Sequence, residues 1–143
     1  MRSTGQDRKV LFVEGEKAIS KLFCVVLHKL GCTGKVAGNG EQALELISRD
    51  DFDAVLLDLR SSGIVPEHLL SEIHEVRPSL IGRVLVITGE VSDPETLDLI
   101  ERYCLFKIPG DRVITDLMGW LRALLHIAPS PVLQSKGLSH IHN

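Results

Sequence analysis

Four short apolar runs in this sequence end on, or carry near their end, a side chain able to do chemistry. Glu14 follows "KVLFV", Asp58 lies in "DAVLLDL", Thr88 closes "RVLVIT", and Lys107 lies in "CLFKI". A carboxylate held rigidly by a buried run can attack phosphorus and form an aspartyl phosphate. Phosphoryl transfer then needs the charge on the moving group neutralised by a cation and by fixed donors. Glu14 and Asp58 offer the hard oxygen ligands that suit Mg2+. Lys107 offers an ammonium to one phosphoryl oxygen, and the Thr88 hydroxyl a hydrogen bond to another. Glu16 can reach back toward the same place, or can simply be a first-turn helix residue favoured by the helix dipole. Gly15, between the two glutamates, brings no side chain.

These groups meet only if the runs lie side by side and end at one rim. The pattern along the chain predicts this arrangement. Strands are expected at Lys9–Val13, at "TGKVA", at Asp53–Leu59, at Arg83–Thr88 and at "CLFKI". Between them lie stretches with apolar residues at helical spacing. Glu16 to Leu30 repeats Ile19, Leu22, Phe23, Val26 and Leu30, and Gly31 offers a stop. "NGEQALELISRDD" places Ala43, Leu44 and Ile47 on one face. "PEHLLSEIHEVRP" is bracketed by Pro66 and Pro78, and "SDPETLDLIERY" offers Ser92 or Asp93 as cap. The last helix, "DRVITDLMGWLRALLHIA", is expected to turn Ile114, Leu117, Met118, Leu121 and Leu125 inward. Five strands alternating with five helices predict an α/β, doubly wound, flavodoxin-like (βα)5 sandwich. Its five-stranded parallel sheet has the expected order 2-1-3-4-5. Ligands of such sheets bind beyond the carboxyl ends of the strands, where the four chemical groups sit.

Composition narrows the classes. At 143 residues, with 44% hydrophobic and 24% charged residues, the chain suits one globular domain with one real core. A formal net charge of −3 gives no footprint for direct nucleic-acid or anionic-membrane binding. The cysteines, Cys24, Cys32 and Cys104, form no CxxC pair and fit a reducing cytoplasm. "MRSTGQDRKV" carries charge but no apolar h-region follows it, so it is not expected to be a signal peptide, and no apolar run is long enough to span a bilayer. Residues 8–128 read as the domain, and 129–143 as a linker or disordered tail.

The pieces "NGEQALELI", "FDAVLLDL", "VLVITGE" and "LFKIP" follow one another in an order and at spacings that resemble the receiver domain of two-component response regulators, the CheY-like superfamily. The resemblance spans roughly residues 8–127. It implies Asp58 as phosphoacceptor, Thr88 as switch hydroxyl and Lys107 as the phosphate-sensing lysine. It also implies Mg2+ held by Glu14, by Asp58 and by the backbone carbonyl of Arg60, with Glu16 in reach. A histidine kinase or phosphotransfer protein would be the donor. An unknown downstream protein, or a second copy of the chain meeting it through the last helices and strands, would read the outcome. Such a domain is no enzyme beyond phosphorylating and dephosphorylating itself.

The sequence also departs from the family's pattern. Gly15 stands where the family has a second, directly metal-binding acid, so Mg2+ binding should be weakened. "LRSSGIVP" replaces the usual methionine–proline after the acceptor, and Ile108 separates Lys107 from Pro109, so a trans peptide is expected there. The family's switch aromatic falls near Cys104, and Tyr103 should face the other way by strand alternation. These departures leave open a second reading, a pseudo-receiver that works as a phosphorylation-independent interaction module. A phosphohydrolase with an aspartyl nucleophile wants an aspartate where Arg60 stands, and a flavin binder wants hydroxyls and glycines where "EGEKA" offers acids. Glu90 reads as an exposed loop residue, His28, His68, His74 and His126 as surface residues, and "HIH" in the tail as lacking a third metal ligand.

Overall fold

The computed structural model describes residues 8–61, 63–89 and 93–126. Three runs, β1 (Lys9–Val13), β3 (Ala54–Asp58) and β4 (Val84–Thr88), are buried almost end to end. Continuous apolar strands of this kind suit a parallel sheet covered on both faces. The sheet is parallel throughout and its order is β2-β1-β3-β4-β5, as the alternation of elements predicts. The edge strands β2 (Thr33–Ala37) and β5 (Phe106–Pro109) keep only Ala37 and Ile108 fully buried.

Helices α1 (Lys17–Lys29) and α6 (Val113–Leu125) cover one face of the sheet. There Phe12 of β1 meets Phe23 of α1 with ring centroids 4.4 Å apart. Helices α2 (Gly40–Arg49), α3 (Pro66–Val76), α4 (Pro78–Ile81) and α5 (Pro94–Arg102) cover the other. Their ends follow local chemistry. The Asn39 side chain accepts from the Gln42 N–H at 2.9 Å, and Asp93 from the Thr96 N–H at 2.7 Å. Pro66 and Pro94 open their helices, and Gly31, at φ 73°, stops α1 in the left-handed region. Gly34 in β2 lets α1 approach: a Cβ there would lie 2.4 Å from a Leu27 methyl.

Several local expectations are corrected. Ile114 is 82% exposed instead of inward-facing. Helix α6 starts at Val113, and Val113, Leu117, Leu121 and Leu124 claim the core stripe, which turns Ile114 about 100° away. Leu22 is likewise 42% exposed, because Phe23, Leu27 and Leu30 hold the inner line of α1. Pro78 does not merely end α3; it opens the one-turn α4. The fifth strand begins at Phe106, not Cys104. Cys104 has φ 53° and Tyr103 caps α5, so Tyr103 lies off the strand and packs beside His74. His28, His68, His74 and His126 are exposed as expected. Among the described residues no helix is long and apolar enough to cross a membrane. Glu90, Ser92 and the tail from 129 lie outside the described residues.

Candidate functional site

The carboxyl ends of β1 and β3 open on a cleft of about 600 Å³, lined by Glu14, Gly15, Glu16, Asp58, Arg60 and Ser61 among others. Strand β3 carries Asp58 to this rim with 1% exposure, and the chain turns at once: the Ser61 N–H donates to the Asp58 carbonyl at 3.1 Å. That turn folds Arg60 back over Asp58. The Arg60 backbone N–H and Nε–H both donate to Asp58 Oδ1 at 2.9 Å, and Nη2 donates to Oδ2 at 2.9 Å. This two-point guanidinium–carboxylate pair has one buried and one partly exposed partner, since the Arg60 side chain is 37% exposed.

Glu14 is 4% exposed. Its Oε2 accepts from the Glu16 N–H at 3.2 Å, while its buried Oε1 has no partner among the described residues. Burial, the hydrogen bond with Asp58 and the charge on Asp58 raise the Glu14 carboxyl to about 7. Burial also pushes the Asp58 carboxyl upward. The hydrogen bonds from the Arg60 guanidinium, from Glu14 and from the Arg60 backbone outweigh it and hold Asp58 below the usual carboxylate range. Glu14, with its carboxyl raised, and Asp58, with its carboxyl held low beside the Arg60 guanidinium, therefore line one cleft with opposite tendencies to ionise.

The other half of the rim is built differently. Thr88 is 3% exposed and ends β4, yet it does not line the cleft. In the β4–β5 register Thr88 lies level with Pro109, and Lys107 lies level with Val86. Lys107 thus sits two residues, roughly 7 Å, below the level of Thr88. Its side chain is exposed, and among the described residues it makes no hydrogen bond or ion pair. The structure therefore gathers Glu14, Glu16, Asp58 and Arg60 at one cleft and leaves Thr88 and Lys107 outside its lining. No peptide bond among the described residues is cis, so the Lys107–Ile108 bond is trans.

The arginine side chain is the functional group that sequence reasoning passed over, having assigned Arg60 only a carbonyl role. A cation two residues after a strand-end carboxylate was the available signal. The donor set does not fit a divalent cation as it stands. Both Asp58 oxygens are engaged by Arg60, Gly15 supplies no ligand, and of the buried carboxylate oxygens among the described residues only Glu14 Oε1 lacks a hydrogen bond. A Cβ on Gly15 would meet Ser61 Oγ at 3.3 Å, and that hydroxyl already accepts from the Gly15 N–H at 3.1 Å. Among the described residues no group of three or more His, Cys, Asp and Glu could hold a metal.

No family model matches the chain. It is 28% identical over 101 residues to a response regulator receiver protein of Anaeromyxobacter sp. (strain Fw109-5), covering 71% of this chain and 41% of that protein. It is 29% identical over 83 residues to sporulation initiation phosphotransferase F of Bacillus subtilis (strain 168), covering 58% of this chain and 65% of that protein. The chain thus spans less than two thirds of the length of either. Among solved structures, it resembles the receiver domain of a sensor histidine kinase from Pseudomonas aeruginosa PAO1, which has a magnesium ion coordinated in its active site cleft. The TM-score is 0.71 at 17% identity, covering 83% of this chain and 98% of that one. A sheet of order 2-1-3-4-5, an acidic cleft at its carboxyl rim and these likenesses lead to one conclusion: this chain carries the fold of a response regulator receiver domain.

Proposed function

We propose that the chain is a cytoplasmic signalling module that accepts a phosphoryl group on Asp58 from a histidine kinase or phosphotransfer protein. One Asp58 oxygen attacks phosphorus, the P–N bond of a phosphohistidine breaks, and its electron pair returns to the imidazole, leaving an acyl phosphate. The observation that carries this reading is a carboxylate held ionised at the end of a buried strand, lining an open cleft. The Arg60 guanidinium is already in place to meet the negative charge that arrives. Thr88 and Lys107 enter as the hydroxyl and the ammonium that close on the phosphoryl oxygens, moving the β4 and β5 ends and with them a surface for the downstream partner. Such a module signals and does not turn over a substrate.

The test is incubation of the whole chain with a small acyl phosphate, with Mg2+ in one arm and a chelator in another, read by intact mass. One added phosphoryl group, absent in Asp58→Ala, is expected. A specific observation favours a second reading, the pseudo-receiver: at rest both Asp58 oxygens are taken by Arg60. An unmodified mass in both arms, and with a phosphorylated donor protein, would select it.

A further inference from the structure

We propose that Arg60 is the resident cation of the acidic pocket, seated by Gly110, and that it keeps a divalent cation off Asp58. The guanidinium is held from two sides. Its Nε and Nη2 edge faces Asp58. Its Nη1 lies over Gly110: a Cβ at position 110 would stand 2.5 Å from Nη1, 3.2 Å from Cζ and 3.1 Å from the Thr88 carbonyl oxygen. The glycine that follows β5 therefore leaves room for an arginine arriving from the turn after β3. Any larger residue at 110 meets a backbone carbonyl on one side and the guanidinium on the other, and the flexible guanidinium is the group that gives way.

Charge counting points the same way. The buried part of the pocket holds two carboxyl groups, Glu14 and Asp58, with Glu16 exposed at its edge, because Gly15 adds none. A divalent ion beside Asp58 would bring two positive charges to a site already containing the Arg60 charge, where Glu14 Oε1 is the one buried carboxylate oxygen among the described residues without a hydrogen bond. One fixed cation bonded at both carboxylate oxygens supplies the counter-charge, and the Arg60 bonds fill both lone pairs of Oδ1 and one of Oδ2, leaving a single direction of the roughly four for a hard divalent ion. The inference concerns the resting pocket and is read by metal binding, so it stands or falls separately from phosphoryl acceptance.

The test is titration of the whole chain with Mn2+, whose paramagnetism broadens nearby backbone amide signals, in the wild type, Gly15→Asp and Gly15→Asp/Arg60→Met. The wild type is expected to show no saturable broadening at residues 14–16 and 58–61 in the millimolar range. The double variant is expected to bind at least tenfold more tightly than Gly15→Asp alone. Saturable millimolar binding by the wild type, or equal affinity of the two variants, overturns the proposal. A measurement on the unmutated pocket covers the case of a variant that does not fold. The Arg60 Nε–H signal should exchange at least tenfold more slowly than that of Arg49, whose exposed pair with Glu45 spans 3.6 Å. In Gly110→Ala it should move toward the Arg49 rate. Equal rates for Arg60 and Arg49 in the wild type would remove Gly110 and Asp58 as its seat.

Discussion

The two halves of the carboxyl rim differ in how much of their chemistry is assembled at rest. On the β1–β3 half, Glu14, Asp58 and Arg60 line one cleft, and Arg60 is bonded to both oxygens of Asp58. On the β4–β5 half, Thr88 is buried at the rim, while Lys107 stands two positions below it and engages nothing among the described residues. The difference teaches that convergence at a rim is a matter of register, not only of strand order. β3 ends at Asp58, so its side chain is delivered to the top of the sheet. β5 runs two residues past its lysine before it turns. The first half rests with Asp58 bonded at both oxygens; on the second, Thr88 and Lys107 stand at different levels.

The largest expected effect lies in the assembled half. Arg60→Ala leaves Asp58 as a buried carboxylate without its main counter-charge. Breaking a fully buried pair costs about 3–5 kcal/mol. Arg60 is partly exposed and its gain is screened by solvent, so a loss of roughly 2–3 kcal/mol is expected by urea denaturation at pH 8. Asp58→Ala/Arg60→Ala should recover part of that loss, since neither charge is then left alone. Lys107→Ala should leave the unfolding midpoint where it was. Equal losses for Arg60→Ala and Lys107→Ala would erase the contrast between the halves.

This contrast was only half legible in the sequence. β1, β3 and β4 announced themselves because a sheet buried on both faces needs unbroken apolar runs, and the alternation with helices fixed the order. Glu14, Asp58 and Thr88 were legible as rim residues for the same reason: each stands where an apolar run stops. The level of Lys107 was not, because it depends on where β5 begins. "CLFKI" reads as one run, yet Cys104 takes a left-handed turn and pairing starts at Phe106. Edge strands half open to water carry a weaker pattern, so their register escapes a reading of hydrophobicity alone. The Arg60–Asp58 pair escaped for a different reason. Its geometry depends on the turn after β3 and on Gly110, fifty residues later in the chain, and no local period connects them. Ile114 and Leu22 show the same limit within helices, where a neighbouring residue takes the inward stripe.

The next effect sharpens the electrostatic side of the comparison. Glu14 is raised to about 7 in the folded chain from an ordinary value of 4.5. Between those values the folded state holds a proton that the unfolded state has lost, so stability falls as pH rises through that window. The expected drop between pH 5 and pH 7 is about 2 kcal/mol, and Glu14→Gln, which cannot ionise, should remove it. Asp58 works in the opposite sense. Held below 3.8, it stabilises the fold above that value and loses its contribution only as the solution becomes more acid than pH 4. Denaturation curves that slope equally in the wild type and in Glu14→Gln would show that the Glu14 carboxyl is not shielded from water.

The smallest effect bears on the unassembled half, and it decides whether that half belongs to the site. If Lys107 is recruited when Asp58 gains a phosphoryl group, its contribution is absent from the resting state and present only on the way to the acyl phosphate. Lys107→Ala should then slow phosphoryl addition from a small acyl phosphate by about tenfold, less than the roughly hundredfold or more that losing a preorganised donor to a developing charge costs. A tenfold change in rate is about 1.4 kcal/mol of barrier, none of which should appear in the urea midpoint. The backbone of Lys107 lies about 7 Å below the level of Thr88, a distance that the lysine stem and a small shift of β5 can share. Ile108 restrains that shift, because it is fully buried between Ile87 and the α6 face. Ile108→Ala should therefore loosen the strand and narrow the rate gap between Lys107 and its alanine variant. An addition rate unchanged by Lys107→Ala in both backgrounds would mean that the exposed lysine is a surface residue and that the assembled half works alone.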